Sequence, residues 1–337
     1  MMNKRLKQGT TFLLALALAF PLLTLPGARA ANAIETNRKC SVAFNVSGED
    51  NELTADGTDI IVNLYKVADV DVSGNYTATK DFTGLNVSSV SADDKDAAAS
   101  EWADRAKEAQ KMLKESVEPT ATVTLAAGTG SLADLATGLY LVDTPEVVTT
   151  NYTYTYTFTP YLVSLSTNNY YSNGNDDWIY DLTKEYNSAV GLKPEEHARY
   201  GDLKINKTLA HHNATTGKKA TFVFKIEITP LKGKTETRIE SLDFEAAGDS
   251  SVTITKIPAG ATVKVTEVYS GASYKLISEN DQETTIVATD KDAKGDPASV
   301  SFTNDVDDNM NGGYGVKNNF KLDENGQYQY TEPAEKN

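Results

Sequence analysis

Ser251-Val-Thr-Ile-Thr-Lys-Ile-Pro-Ala-Gly-Ala-Thr-Val-Lys-Val-Thr-Glu-Val-Tyr269 consists of two apolar-polar alternations broken by Pro258-Ala-Gly260. Alternation at period two sends successive side chains to opposite faces of a strand, and the Pro and Gly punctuate a turn. The same pattern extends on both sides, in Asp202 to Leu209, Ala220 to Thr229, Tyr274 to Ser278, Glu283 to Ala288 and Ala298 to Asn304, with Gly217, Gly271 and Gly295-Asp-Pro297 between them. Seven short strands in about a hundred residues predict an immunoglobulin-like β-sandwich over residues 200–305.

Upstream, β character also dominates, in Cys40 to Val46, Asp59 to Val67, Ala121 to Leu125, Gly138 to Val142, Tyr152 to Ser166 and Trp178 to Leu182. One helix interrupts it, expected from about Asp93 to Ser116, because Trp102, Ala106, Ala109 and Leu113 recur at helical spacing and Pro119 closes the segment. Trp102 is then a core residue rather than a ligand contact. In Tyr152-Thr-Tyr-Thr-Tyr-Thr-Phe158 the rings share one face of a strand, which reads as packing on a facing sheet or as a sugar-binding platform. The polar words Ser172-Asn-Gly-Asn-Asp-Asp177 and Val190-Gly-Leu-Lys-Pro-Glu-Glu-His-Ala-Arg-Tyr200 read as a turn and a linker. The expected organisation is therefore all-β, with two tandem sandwiches. Residues 31–195 form the first, with the helix inserted, and residues 200–305 the second, followed by an extension over 306–337.

Met1 to Ala30 carries a basic start, an apolar run from Phe12 to Leu25 and a Pro26-Gly-Ala-Arg-Ala30 cleavage word, the order of a secretory signal peptide. Its removal takes Lys4, Arg5, Lys7 and Arg29, leaving 28 basic against 47 acidic side chains, a formal charge of −19. Nucleic acid and anionic membrane are poor partners for that surface, and the mature chain holds no apolar run long enough to span a bilayer. The single cysteine, Cys40, has no internal partner, so covalent reinforcement must use other chemistry.

Such chemistry is available to Lys207, Glu267 and Asn304, which sit on three different strands of the second sandwich. In an apolar core a lysine loses its charge and a carboxylic acid keeps its proton more readily than in water. A neutral amine held against an amide can displace ammonia, with the acid polarising the amide carbonyl and shuttling protons. Residue types alone leave open the plain alternative of a surface Lys, a strand-edge Glu and a turn-forming Asn.

The words around them narrow the choice. Ile205-Asn-Lys-Thr-Leu209, Ile257-Pro-Ala-Gly-Ala-Thr-Val-Lys-Val-Thr-Glu267 and Phe302-Thr-Asn304 resemble the Cna B-type domains of Gram-positive sortase-assembled pilins. The resemblance implies an intramolecular isopeptide cross-link between Lys207 and Asn304, with Glu267 as its catalyst. The N-terminal words Val62-Asn-Leu-Tyr-Lys-Val-Ala68, Thr137-Gly-Leu-Tyr-Leu-Val142, Phe158-Thr-Pro-Tyr-Leu-Val-Ser164 and Trp178-Ile-Tyr-Asp181 are similar to a pilin N-domain. It implies an exported subunit resembling a minor pilin, at the cell surface, in a pilus or secreted. Its partners would be other pilin subunits or the cell wall, with host glycans or matrix proteins beyond them. Apart from one self-directed turnover it is not an enzyme, and it needs no cofactor or metal. The alternative is a secreted carbohydrate- or host-glycoprotein-binding module using the Tyr, Asn and Thr surface around Thr149 to Asn175.

The chain also departs from that family. Cys40 to Val46 has no internal Lys, and Asp143 stands where the family would have a Glu, so no N-domain cross-link is expected. Lys184, in Asp181-Leu-Thr-Lys-Glu-Tyr-Asn187, and Lys193 are the lysines to test for intermolecular linkage. The end, Tyr330-Thr-Glu-Pro-Ala-Glu-Lys-Asn337, has no L-P-x-T-G word, so the expectation is attachment by another route, release, or a sequence that continues. Asp305, Asp307 and Asn309 alternate like the start of a calcium loop, but Met310 and Val316 stand where it needs Gly and Glu, so a solvated turn is expected. His197, His211 and His212 lack zinc spacing. Asn318 and Asn319 are fallback partners for Lys207.

Overall fold

The computed structural model describes residues 23–24, 33–46, 53, 58–91, 95–168, 177–183, 189–214, 219–271, 273–290, 296–307, 319–322 and 327–331. Most of the expected leader, with Ser172, Lys184, Asn309, Met310, Val316 and Asn318, lies outside them. The chain divides into two compact units, residues 1–150 with 155–197, and residues 151–154 with 198–337.

In the first unit β1 (Cys40–Val46), β2 (Ile60–Val70), β3 (Tyr76–Ala78), α1 (Lys95–Met112), β4 (Ala121–Leu125), β5 (Thr129–Leu135), β6 (Gly138–Asp143), β7 (Tyr154–Phe158), β8 (Tyr161–Leu165) and β9 (Ala189–Leu192) follow one another. One sheet runs in the order β8-β6-β2-β3, with β4 also paired to β2. In another, β1 pairs antiparallel with β5 and parallel with β9. Alternation in β1 buries Cys40, Val42, Phe44 and Val46. Cys40 is thus fully enclosed, and burial pushes its thiol up to about 11.

The helix is shorter than its periodicity predicts. It is regular to Met112, after which Leu113 N–H donates to the Gln110 carbonyl and Val117 N–H to the Lys114 carbonyl, the tighter turns in which helices commonly end. Trp102, Ala98, Ala106 and Ala109 pack in one cluster with Val67, Leu139, Leu141 and Leu162 of the sheet. Trp102 is therefore core. Tyr154 and Tyr156 are buried, and the Tyr156 hydroxyl donates to Glu196. Tyr152 leaves the strand with a φ of 58°. The tyrosine row thus packs inward and offers no continuous platform.

Among the described residues, the sandwich of the second unit has eight strands: β10 (Tyr200–Leu209), β11 (Ala220–Thr229), β12 (Glu236–Phe244), β13 (Gly248–Pro258), β14 (Thr262–Tyr269), β15 (Tyr274–Leu276), β16 (Asp281–Thr285) and β17 (Ala298–Val306). They form two four-stranded sheets, in the orders β13-β10-β17-β15 and β12-β11-β14-β16. The first and last strands, β10 and β17, lie side by side and parallel. Leu203, Ile205 and Leu209 of β10, Phe222, Phe224, Ile226 and Ile228 of β11, Val263 and Val265 of β14, and Val300 and Phe302 of β17 fill one core. Each such side chain contributes about 1.5–3 kcal/mol by leaving water. The alternation read from the sequence is the alternation that builds this core. The expected extension supplies one antiparallel hairpin, Asn319–Leu322 with Tyr328–Thr331.

Candidate functional site

Three of the core-facing rows of this sandwich continue into a polar residue. In β10 the buried positions are Gly201, Leu203, Ile205, Lys207 and Leu209; in β14 they are Val263, Val265 and Glu267; in β17 they are Ala298, Val300, Phe302 and Asn304. The strands that bury the apolar residues therefore carry the polar ones inward too. Lys207 and Glu267 side chains are fully enclosed, and Asn304 is 0% exposed.

The three meet. Lys207 lies opposite Phe302 in the parallel ladder, and Asn304 is the next core-facing residue along β17, opposite Leu209. Glu267 reaches across from the other sheet. Lys207 Nζ donates to Glu267 Oε2 at 2.8 Å and also to Asn304 Oδ1. Asn304 Nδ2 donates to Glu267 Oε1 at 2.6 Å. The carboxyl thus bridges amine and amide nitrogen with one oxygen each. This differs from the expectation that Glu267 polarises the amide carbonyl, because that oxygen is taken by the amine. Burial pushes the Lys207 amine below the ordinary lysine range, against the hydrogen bond and charge of Glu267 that hold it up.

Aromatic rings complete the enclosure. Lys207 Nζ stands 4.5 Å from the centre of the Phe222 ring, which packs edge-on against Phe244, while Phe224 meets Phe302 with centroids 5.1 Å apart. Alternation over Ala220–Thr229 identifies Phe222 as a core residue, but sequence reasoning did not single it out for this site, since its contact with Lys207 depends on how the two sheets face each other. Enclosure away from bulk solvent strengthens the charge interactions inside it.

The other residues raised by the sequence are not drawn together in this way. Lys193 lies in the first unit, over the Tyr161 ring at 6.0 Å, and burial lowers its amine below the lysine range. His211 is exposed and its Nδ1 pairs with Asp305 Oδ1 at 2.9 Å, a contact that holds the Asp305 carboxyl below its usual range. His197 Nε2 faces the Thr157 hydroxyl. Among the described residues no three His, Cys, Asp or Glu side chains are grouped to hold a metal ion, and no helix is long and apolar enough to cross a membrane.

Comparison with known proteins adds the following. Residues 203–307 match the family described as "Domain of unknown function (DUF5979)". No curated protein matches the sequence. Among solved structures the chain is similar to GBS52, the minor pilin of Streptococcus agalactiae, at 13% identity over 79% of this chain and 96% of that one, TM-score 0.23. It is similar to the Corynebacterium diphtheriae major pilin SpaA at 10% identity, over 79% of this chain and 100% of that one, TM-score 0.22. It is also similar to a C-terminal fragment of the pilus adhesin SpaC from Lactobacillus rhamnosus GG at 11% identity, over 80% and 98%, TM-score 0.26.

Proposed function

We propose that this chain is an exported pilus subunit, structural or adhesive, resembling a minor pilin, whose second sandwich seals itself with a covalent bond between Lys207 and Asn304. The observation that carries the reading is the enclosed contact of Lys207, Glu267 and Asn304, three polar side chains that share one another's hydrogen bonds inside an apolar core. Leaving an amine and a carboxyl buried for packing alone is costly, and an amine, an acid and an amide in mutual contact are the reactants of amide exchange.

The reaction balances with no outside reagent. Glu267 Oε2 takes a proton from the Lys207 amine as Nζ attacks Asn304 Cγ. The tetrahedral centre collapses by breaking Cγ–Nδ2, and the Glu267 carboxyl, already in contact with Nδ2, turns its Oε2–H to the departing nitrogen and returns the proton. One Nζ–Cγ amide bond is made and one ammonia leaves. The fold supplies the high effective concentration that such an exchange needs, and Glu267 is the general base and then acid. Each chain turns over once, so this is self-modification and not enzymatic turnover on a substrate.

Export is supported by the signal-peptide word order, and a surface role by the covalent stiffening itself. The partners this implies are other pilin subunits or the cell wall, with host glycans or matrix proteins as targets of an adhesive subunit. Intact-mass measurement tests the bond. The folded chain should be lighter than its sequence by one ammonia, and tryptic mapping should find the Lys207 and Asn304 peptides joined. A full-sequence mass with the two peptides separate refutes it.

A further inference from the structure

Strand β14 bulges immediately after Glu267. Its pairing with β11 is regular from Thr262 to Glu267, opposite Thr229 to Phe224, but the next pair is Tyr269 with Val223. Val268 is the extra residue. A bulge re-aims the neighbouring side chain, and the Glu267 N–H donates to the Asn280 side-chain oxygen at 3.0 Å. On its other edge β14 pairs with β16 as far as Thr266 opposite Asp281. Asn280 therefore occupies the place where the next rung would be and supplies it with a side chain.

Asn280 belongs to a short crossover between the sheets. The chain leaves the first sheet at Leu276, opposite Asn304, and joins the second at Asp281. Along the way it grips both reactive strands. On β17, Thr303 N–H donates to the Ser278 hydroxyl at 3.1 Å, while Ser301 gives its N–H to Gln282 Oε1 at 3.0 Å and accepts from Gln282 Nε2 at its carbonyl. On β14, the Thr266 hydroxyl donates to Asp281 and the Glu267 N–H to Asn280. Four of the five residues from Ser278 to Gln282 thus hold the strand of the acid to the strand of the amide.

We propose that Ser278 to Gln282 form a positioning strap for the cross-linking reaction, with Asn280 the residue that aims Glu267 at Lys207 and Asn304. The role rests on the cross-linking reading and adds a residue that touches none of the reacting atoms. Asn280 is exposed, so replacing it removes the acceptor without opening the core.

The test uses the full chain, purified in denaturant before the bond can form and then diluted to refold. Ammonia loss is followed by intact mass and folding by far-UV circular dichroism. A 1 Å misplacement of a reacting group costs on the order of a hundredfold, and a strand still held by its other hydrogen bonds moves less, so Asn280→Ala should lose ammonia about tenfold more slowly. Folding should proceed at the wild-type rate. Asn280→Asp, which keeps an oxygen acceptor, should recover most of the wild-type rate. Equal rates for Asn280→Ala and wild type overturn the proposal, as does Asn280→Asp being as slow as Asn280→Ala. A second measurement separates the strap from the bond. In the Lys207→Met chain, which cannot cross-link, adding Asn280→Ala should speed hydrogen exchange at the Glu267 amide. Unchanged exchange overturns the strap whatever the chemistry does, whereas a wild-type chain that keeps its ammonia refutes the cross-link alone.

Discussion

Replacing Glu267 with alanine should remove two contributions to stability at once, and a second variant separates them. Lys207 and Asn304 are 97 positions apart. Closing a loop of that size with a covalent bond is worth about 4.7 kcal/mol on the chain-entropy estimate used for disulfides. Without the acid the bond does not form, so Glu267→Ala loses this amount. It also strands the Lys207 amine, fully enclosed, without its acidic partner. Breaking a buried pair from one side costs a further 3–5 kcal/mol or about that. The total, roughly 8 kcal/mol, is comparable to the whole stability of many domains. Lys207→Met combined with Glu267→Gln also prevents the bond but removes both charges together, so neither is left buried without the other. Its loss should stay near the loop contribution of about 4.7 kcal/mol.

Thermal melting of the full chain measures both. Trp102 and Trp178 both lie in the first unit, so tryptophan fluorescence follows that unit and far-UV circular dichroism follows both. At 4–8 °C per kcal/mol for a domain of this size, Lys207→Met with Glu267→Gln should lower the second unit's transition by roughly 20–40 °C. Glu267→Ala should lower it further, while the tryptophan transition stays put. If Glu267→Ala is lighter by one ammonia and melts like wild type, Glu267 is not the catalyst and the reasoning fails.

Other outcomes follow from the same geometry. In Asn304→Ala the Lys207 amine survives with its pKa held below 10.5 by burial. The unfolded chain then binds the extra proton between that lowered value and 10.5, so the second unit should melt progressively higher as pH rises through that window. Wild type, with its amine consumed, should lack the rise. Trace acylation with acetic anhydride should label Lys193, lowered by burial, ahead of Lys219 and Lys264, whose amines are held up by hydrogen bonds to Asp243 and Asp281; equal labelling removes Lys193 as a favoured linkage site. Pulled in a force microscope, Glu267→Ala should release about 330 Å of chain from the second unit that wild type never releases, since 97 residues span up to about 3.4 Å each when extended. A wild-type chain that extends by the same length refutes the bond.

The reactive trio was legible because each member interrupts an apolar row at a core-facing position. Lys207 follows Leu203 and Ile205, Glu267 follows Val263 and Val265, and Asn304 follows Val300 and Phe302, all at period two. What alternation cannot convey is which face meets which, so Phe222 and the bridging of Lys207 and Asn304 by both oxygens of Glu267 emerged only from the packed sheets. Strand β12 was missed for a different reason. It is an edge strand whose Glu236, Arg238 and Glu240 are at most half-buried, and charged edges that discourage further pairing look like loop in a sequence. Asn280 was invisible because an exposed Asn before a strand is commonplace, and its partner N–H lies just past the end of the β14–β16 ladder, which only the strand register reveals. The tyrosine row was legible as packing, apart from Tyr152, whose backbone leaves the strand.

The choice of strands gives the proposed bond its mechanical meaning. Tension between the ends of this sandwich enters along β10 and leaves along β17, which pair in parallel from Leu203 with Ala298 to Leu209 with Asn304. Without a covalent link that load shears the ladder between the two strands, and hydrogen bonds are all that resist it. A link from Lys207 to Asn304 carries the load across in covalent bonds and takes β11 to β16, the core and the whole facing sheet out of the path. Only a bond between the first and last strands excludes so much of the chain from the load. The same choice dictates where the acid must come from. Side chains on one face of neighbouring strands already lie about 5 Å apart, so Lys207 and Asn304 fill the space between β10 and β17 on that face. A third group can reach both nitrogens only from across the core. Glu267, on the facing sheet, approaches from that side, which makes closure of the two sheets over one another the event that assembles the reactants.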